Sequence, residues 1–158
     1  MSGNEVNSVA IDKTVQGVFD KAIRLIDAQN ENTGSTDTSD TKEYKLRTLS
    51  ILNNLIDDAY PSSSNYTVAD GERPELDDLT AFTDEIYMDA YVVRSVLPCG
   101  LAAKLLSEEN PVLANYFQQL YEQRLIKAKL GVPAAFEDIG GEPGGEYGGI
   151  EYGEFSRW

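Results

Sequence analysis

The chain has 158 residues, with 27 acidic against 13 basic side chains and a formal net charge of −14. A surface of that sign repels the phosphate backbone, which argues against gripping nucleic acid; solubility at high copy, or a lining past which DNA slides, is compatible with it. There is no histidine and one cysteine, Cys99, which removes the commonest general base, the commonest metal ligand, an imidazole-assisted nucleophile and any disulfide framework.

The length suits one domain with its own core. No stretch approaches the ~18 apolar residues of a membrane helix, and the opening MSGNEVNSVA is polar, unlike a signal peptide, so the expectation is a soluble protein made in a cytoplasm, with no membrane association. Val15, Val18, Phe19, Ala22, Leu25 and Ile26 predict a first helix with Asp12 or Thr14 as its cap and Gly17 weakening its first turn. The stretch Asn30 to Thr41, NENTGSTDTSDT, reads as a solvated loop, because its short polar side chains compete with helical hydrogen bonds. A second helix starts near Asp40 with a capping-box-like arrangement that includes Glu43; Leu49, Leu52, Leu55, Ile56 and Ala59 form its buried stripe, and Pro61 ends it.

The stretch Pro61 to Pro74 is rich in turn residues and reads as a linker or long loop. Leu76, Leu79 and Phe82 predict a brief helical turn or a docked loop, and Asp84 to Val96 a third helix; the acidic cluster Asp77, Asp78, Asp84, Glu85 and Asp89 reads as a solvated helix face rather than a paired-carboxylate or magnesium site. Pro98-Cys99-Gly100 then breaks or kinks the path into the best-marked unit, a helical hairpin. Leu101, Ala102, Leu105 and Leu106 share one face of its first arm. Asn110 and Pro111 are a cap and first-turn pair for the second arm, whose stripe is Leu113, Tyr116, Phe117, Leu120, Tyr121 and Arg124, with Gly131 placed for a left-handed C-cap. Cys99 reads as a small buried hydrophobe. The expected fold is all-α: a small bundle of three or four main helices with a long helical hairpin and an extended C-terminal tail.

From Gly131 the composition changes. The segment to Trp158 holds 8 of the 13 glycines and six carboxylates against Arg157 alone. Such a composition does not fold by itself. The chain therefore divides into a helical domain, residues 1–131, and a Gly-rich, aromatic-studded tail, residues 132–158. Tyr147, Ile150, Tyr152, Phe155, Arg157 and Trp158 read as anchors on a flexible strap, the candidate partner-binding residues. The glycines of GGEPGGEYGG are followed by neither Gly-Lys-Ser/Thr nor a helix start, so they make no phosphate loop. The residues point to no catalytic set, no metal site and no cofactor.

Three stretches carry a resemblance: FDKAIRLIDAQNENTGSTDTSDTKEYKLRTLSILNNL, LPCGLAAKLLSEENPVLANYFQQLYEQRL and the ending YGGIEYGEFSRW. Together, over about half the chain, they resemble the head–tail connector, or adaptor, proteins of tailed bacteriophages. The Leu-Pro-x-Gly-Leu-Ala-Ala run followed by Glu-Asn-Pro is the most specific part; an aromatic is expected where Cys99 stands. The resemblance implies a helical, non-enzymatic subunit of a virion neck, assembled from the host cytoplasm into a closed homo-oligomeric ring of about twelve copies. It also implies contact with the portal protein above and a tail or stopper protein below, with DNA passing through the channel unbound. The alternative open to the composition is an acidic DNA-mimic or regulatory protein that blocks a nucleic-acid-binding partner.

Overall fold

The computed structural model describes residues 11–28, 31–68, 71–72 and 75–131. Over these the chain is a helical bundle built around one short helix. That helix, α3, spans Leu97–Leu105, and every side chain on it except Lys104 is buried. A helix apolar on all sides needs neighbours on all sides. They are α1 (Val15–Leu25), α2 (Lys42–Ala59) and α4 (Pro111–Leu130), each of which packs against α3. Among the described residues there is no strand beyond one isolated antiparallel bridge, Thr14 to Glu85.

Pro98-Cys99-Gly100 does not break the chain's path. Helical backbone begins at Ala90, runs through a wide π turn over Val92–Val96 and enters α3 without a loop. Pro98 has no N–H, and a regular α turn would set its ring against the carbonyl four residues back. The backbone widens there instead: the Leu97 N–H reaches the Val92 carbonyl, five back, and Pro98 falls in the first turn of α3, where a missing donor costs nothing.

This helical run starts six residues later than Asp84, where the sequence places it. Residues 82–86 are instead used as partners for the start of α1. The first N–H groups of any helix lack intrahelical acceptors. Here Val15 N donates to Asp84 O (3.0 Å) and Gln16 N to Phe82 O (3.0 Å), and Ile86 N donates back to Lys13 O (2.9 Å). Asp89 then caps the new start. Its Oδ1 accepts from Val92 N (3.0 Å), its Oδ2 from Ser64 N (2.6 Å), and its own N–H donates to Ser63 Oγ (2.8 Å). One carboxylate thus fixes the helix start and docks the front of the 61–74 stretch, so Ser62 and Ser63 are buried rather than part of a free linker.

Of the two candidate caps of α1, Thr14 is the cap: its Oγ1 accepts from Gly17 N (3.1 Å). Asp12 holds Thr14 in place through Thr14 N (3.0 Å) and Thr14 Oγ1 (2.5 Å), and these bonds keep its carboxyl below the usual range. A Cβ at Gly17 would lie 2.6 Å from Asp12 Cγ, so a larger residue there would displace the carboxylate that holds Thr14. Ile23 is fully buried where Leu25 was expected, and Leu25 is exposed.

The capping box at α2 does not form. Thr41 occupies the cap position, but its Oγ1 donates to Thr36 O (2.6 Å), and Glu43 is exposed. The preceding loop is accordingly folded, with Thr36 and Thr41 buried, Thr36 Oγ1 donating to Asp20 Oδ1 (2.6 Å), and Lys45 paired with Asp37 (3.0 Å). Leu76 to Phe82 is a docked segment with no helical turn. Asn53 on α2 exchanges two hydrogen bonds with the Leu79 backbone (2.7 and 3.0 Å), and Phe82 meets Phe19 edge-on.

The predicted hairpin is present. Asn110 Oδ1 accepts from Leu113 N (3.1 Å), Pro111 opens α4, and Phe117 and Tyr121 face inward. Tyr116, expected in the buried stripe, points to solvent. Gly131 has φ −84°, so α4 ends in right-handed geometry, and no left-handed residue is required. Where the arms cross, Gly100 lies under the Tyr121 ring: a Cβ there would be 2.8 Å from two ring carbons and 3.1 Å from a Leu55 methyl.

Two outcomes are expected. Gly100→Val forces the Tyr121 ring and Leu55 apart and should destabilise the fold by about 1–3 kcal/mol in chemical denaturation. For Asp89, burial works to raise the pKa and is outweighed by the N–H groups of Ser64 and Val92, leaving a net lowering. A lowered folded pKa gives stability that is present above the unfolded value of about 3.9 and is lost as pH falls through the folded one. The melting temperature should therefore drop more steeply below about pH 4 in the wild type than in Asp89→Asn.

Candidate interaction surface

Among the described residues no group of Cys, Asp and Glu side chains is arranged to hold a metal ion, and no helix is long and apolar enough to cross a membrane. What the fold does present is two unusual surfaces. The first is a cleft of about 570 Å3 between the docked 75–79 segment, residues 84–87 and the end of α2. A second lobe shares Ile56, Tyr60 and Leu76 with it and reaches Asn53 and Asp57. Asp57, Glu75, Asp77, Asp78, Asp84 and Glu85 line the two lobes, and no described lysine or arginine does.

Of these carboxylates only Asp57 is on a helix, α2; Asp77, Asp78, Asp84, Glu85 and Asp89, expected on a solvated helix face, lie on non-helical chain. Asp84 belongs to a turn: its Oδ2 accepts from Thr80 N (2.8 Å) and Ala81 N (3.0 Å), which hold its carboxyl below the ordinary range. The floor is Tyr60, packed edge-on against Tyr66 (5.0 Å) and tilted against Tyr87 (6.4 Å). Burial raises the Tyr60 pKa, and the neighbouring Tyr87 and Tyr66 add to the shift.

The second surface is the outward side of α4. The inward side carries Ala114, Phe117, Tyr121 and Ala128. Directly opposite, Val112, Tyr116, Gln119, Gln123, Ile126 and Leu130 are exposed, and none is charged. Sequence reasoning placed Tyr116 with the core and passed over this second stripe. Its signal was legible as a four–three alternation from Val112 to Leu130.

Arg124, read as part of the buried stripe, is half-buried and ties α4 to the π turn. Its Nη1 donates to Ser95 O (2.9 Å) and lies 3.4 Å from Cys99 Sγ. Cys99 is fully buried, and burial pushes its thiol pKa up, against the smaller opposing pull of the guanidinium. The Tyr121 hydroxyl is buried with no hydrogen-bond partner among the described residues. At the loop joining α3 and α4, Tyr44 Oη donates to Glu109 Oε1 (2.5 Å), and burial followed by this bond raises the Tyr44 pKa to about 12.

The partner-binding residues expected from the sequence, Tyr147, Ile150, Tyr152, Phe155, Arg157 and Trp158, lie outside the described residues. So does the rest of the 132–158 tail.

A raised pKa and complete burial make Cys99 a structural thiol. A small aromatic disulfide reagent at pH 8 should label it at least about a thousandfold more slowly in the native protein than in denaturant, in step with the fraction unfolded. Fast native labelling would mean that the α3–α4 seam opens locally. No family model, curated protein or solved structure matches the chain.

Proposed function

We propose that this chain is a structural subunit of a tailed-phage neck. About twelve copies form an adaptor ring that joins the portal to the tail or stopper protein and lets DNA pass. The role is architectural, and the protein's place is the virion. The observation that carries the reading is the one-signed cleft: six carboxylates with no described lysine or arginine among them, on a chain of net charge −14. Such a face repels DNA at every step of its passage, where basic groups would bind phosphates and release counterions. It is the face proposed to look into the channel. Two of the three stretches that resemble connector proteins correspond to α1 with the loop and α2, and to the α3–α4 hairpin; the third, residues 147–158, lies outside the described residues. Tyr147, Ile150, Tyr152, Phe155, Arg157 and Trp158 are proposed as the contacts to the portal or to a neighbouring subunit. Burying a large apolar side chain contributes roughly 1.5–3 kcal/mol, enough for several to offset the ordering of a glycine-rich segment.

The same cleft favours a second reading, an acidic mimic of DNA that occupies a basic protein, because closely spaced carboxylates imitate a phosphate row.

Mixing the chain with the portal protein of its phage and recording the complex by native mass spectrometry and electron microscopy separates the two. The neck reading requires a ring on the portal with an acidic lumen. Deleting residues 140–158 should weaken portal binding at least tenfold, about 1.4 kcal/mol, with the melting temperature unchanged. A lumen dominated by lysine and arginine, or a protein that ignores the portal but competes with DNA for a basic partner, overturns it.

A further inference from the structure

α4 carries apolar residues on two opposite sides, and the fold uses one of them. The unused side runs Val112, Tyr116, Gln119, Gln123, Ile126, Leu130, with spacings of four, three, four, three and four. Val112, Tyr116, Ile126 and Leu130 are 82, 57, 62 and 80 % exposed. Spacings that alternate between three and four mark the seam of a coiled coil, and the stripe extends about 27 Å along the helix. A helix side that faces only water ordinarily carries charge.

We propose that α4 pairs with α4 of a second copy of this chain, parallel and in register, along this stripe. Three observations select that occupant. In register every position meets itself, so apolar residues meet apolar ones and the amides of Gln119 and Gln123 meet amides. An amide holds both donor and acceptor, so identical partners satisfy each other, and polar layers within a seam fix its register. Glu122 and Lys127 flank the stripe on opposite sides, five residues apart and both exposed. In a parallel pair Glu122 of each copy lies beside Lys127 of the other, giving two ion pairs; an antiparallel pair would set Glu122 against its own copy. Finally, a chain of net charge −14 repels itself, and this stripe is a side on which two copies can approach without opposing carboxylates.

The inference goes beyond the neck reading and does not rest on it. A pair of this kind is isologous and closes at two copies, whereas a ring is built from heterologous contacts. The pair therefore belongs to the free chain, where it covers the α4 stripe before assembly.

Sedimentation equilibrium of the full chain tests it without any portal. The wild type should pass from monomer to dimer in the micromolar range. Ile126→Glu should raise the dissociation constant at least tenfold, with circular dichroism and melting temperature unchanged because the side chain is exposed. Glu122→Lys should weaken the dimer, and Glu122→Lys combined with Lys127→Glu should restore it. Gln123→Cys, with oxidised glutathione as oxidant, should form an interchain disulfide that Lys21→Cys, on exposed α1 surface, does not. A wild type monomeric at every concentration up to about 1 mM overturns the proposal. So does a dimer indifferent to Ile126→Glu, or one in which Gln123→Cys fails to cross-link. A neck assembly with no self-association of the free chain would support the functional reading while removing this one.

Discussion

The burial of α3 is the constraint on which the rest of this structure depends. A nine-residue helix with only Lys104 exposed cannot be stable on its own in water and must be enclosed. α1, α2 and α4 enclose it. The closest approach is made where Gly100 lets the Tyr121 ring lie on the α3 backbone. A side chain at position 100 would push α4 outward and open the seam that also holds Cys99 and Arg124. The Tyr121 hydroxyl has no partner among the described residues in the same place, so within them tight ring-to-backbone packing is kept at the expense of one unsatisfied polar group.

Enclosing a helix with so few elements leaves long connections to be fastened, and the chain fastens them with single polar side chains to backbone. Asp89 holds residues 63–64 and starts the helical run. Asn53 holds Leu79, Thr41 holds Thr36, and Arg124 holds Ser95. Each bond satisfies backbone groups that would otherwise be left unpaired as the connections are covered. Such bonds also explain why ion pairs matter little here: Lys45 to Asp37 is the one salt bridge among the described residues, and an exposed pair contributes about 0–1 kcal/mol.

The same economy divides the surface. Carboxylates crowd the cleft beside Tyr60, while the outer side of α4 bears none on the stripe from Val112 to Leu130. One side repels polyanions and the other invites apolar contact. A protein that must meet copies or partners on one side while leaving another unoccupied is served by that division, because Coulomb repulsion and hydrophobic burial act over different surfaces.

Local pattern was sufficient for much of this. The all-α class, the Thr14 or Asp12 start, the Asn110-Pro111 start, the end of α2 at Pro61 and the buried hairpin face were legible because caps, proline and helical periodicity act within a turn or two of chain. The expectation that Tyr147, Ile150, Tyr152, Phe155, Arg157 and Trp158 bind a partner falls on residues beyond those described. Tertiary structure decided the rest. Asp84 to Met88 reads as helix by its own composition, yet it is not helical: Asp84 O accepts from Val15 N and Ile86 N donates to Lys13 O at the start of α1. Glu43 reads as a capping partner, yet Thr41 is drawn off to the Thr36 carbonyl. Pro98 reads as a break, yet a widened turn carries the helix past it. Tyr116 and Phe117 are aromatic neighbours on α4, and the position of α3 determines that Phe117 is core and Tyr116 surface. For residues 84–88 and for Tyr116 and Phe117 the competing partner lies far away in sequence, where no local rule reaches; for Thr41, and for Leu97 beside Pro98, it lies five residues back, in a bond that helical periodicity does not encode.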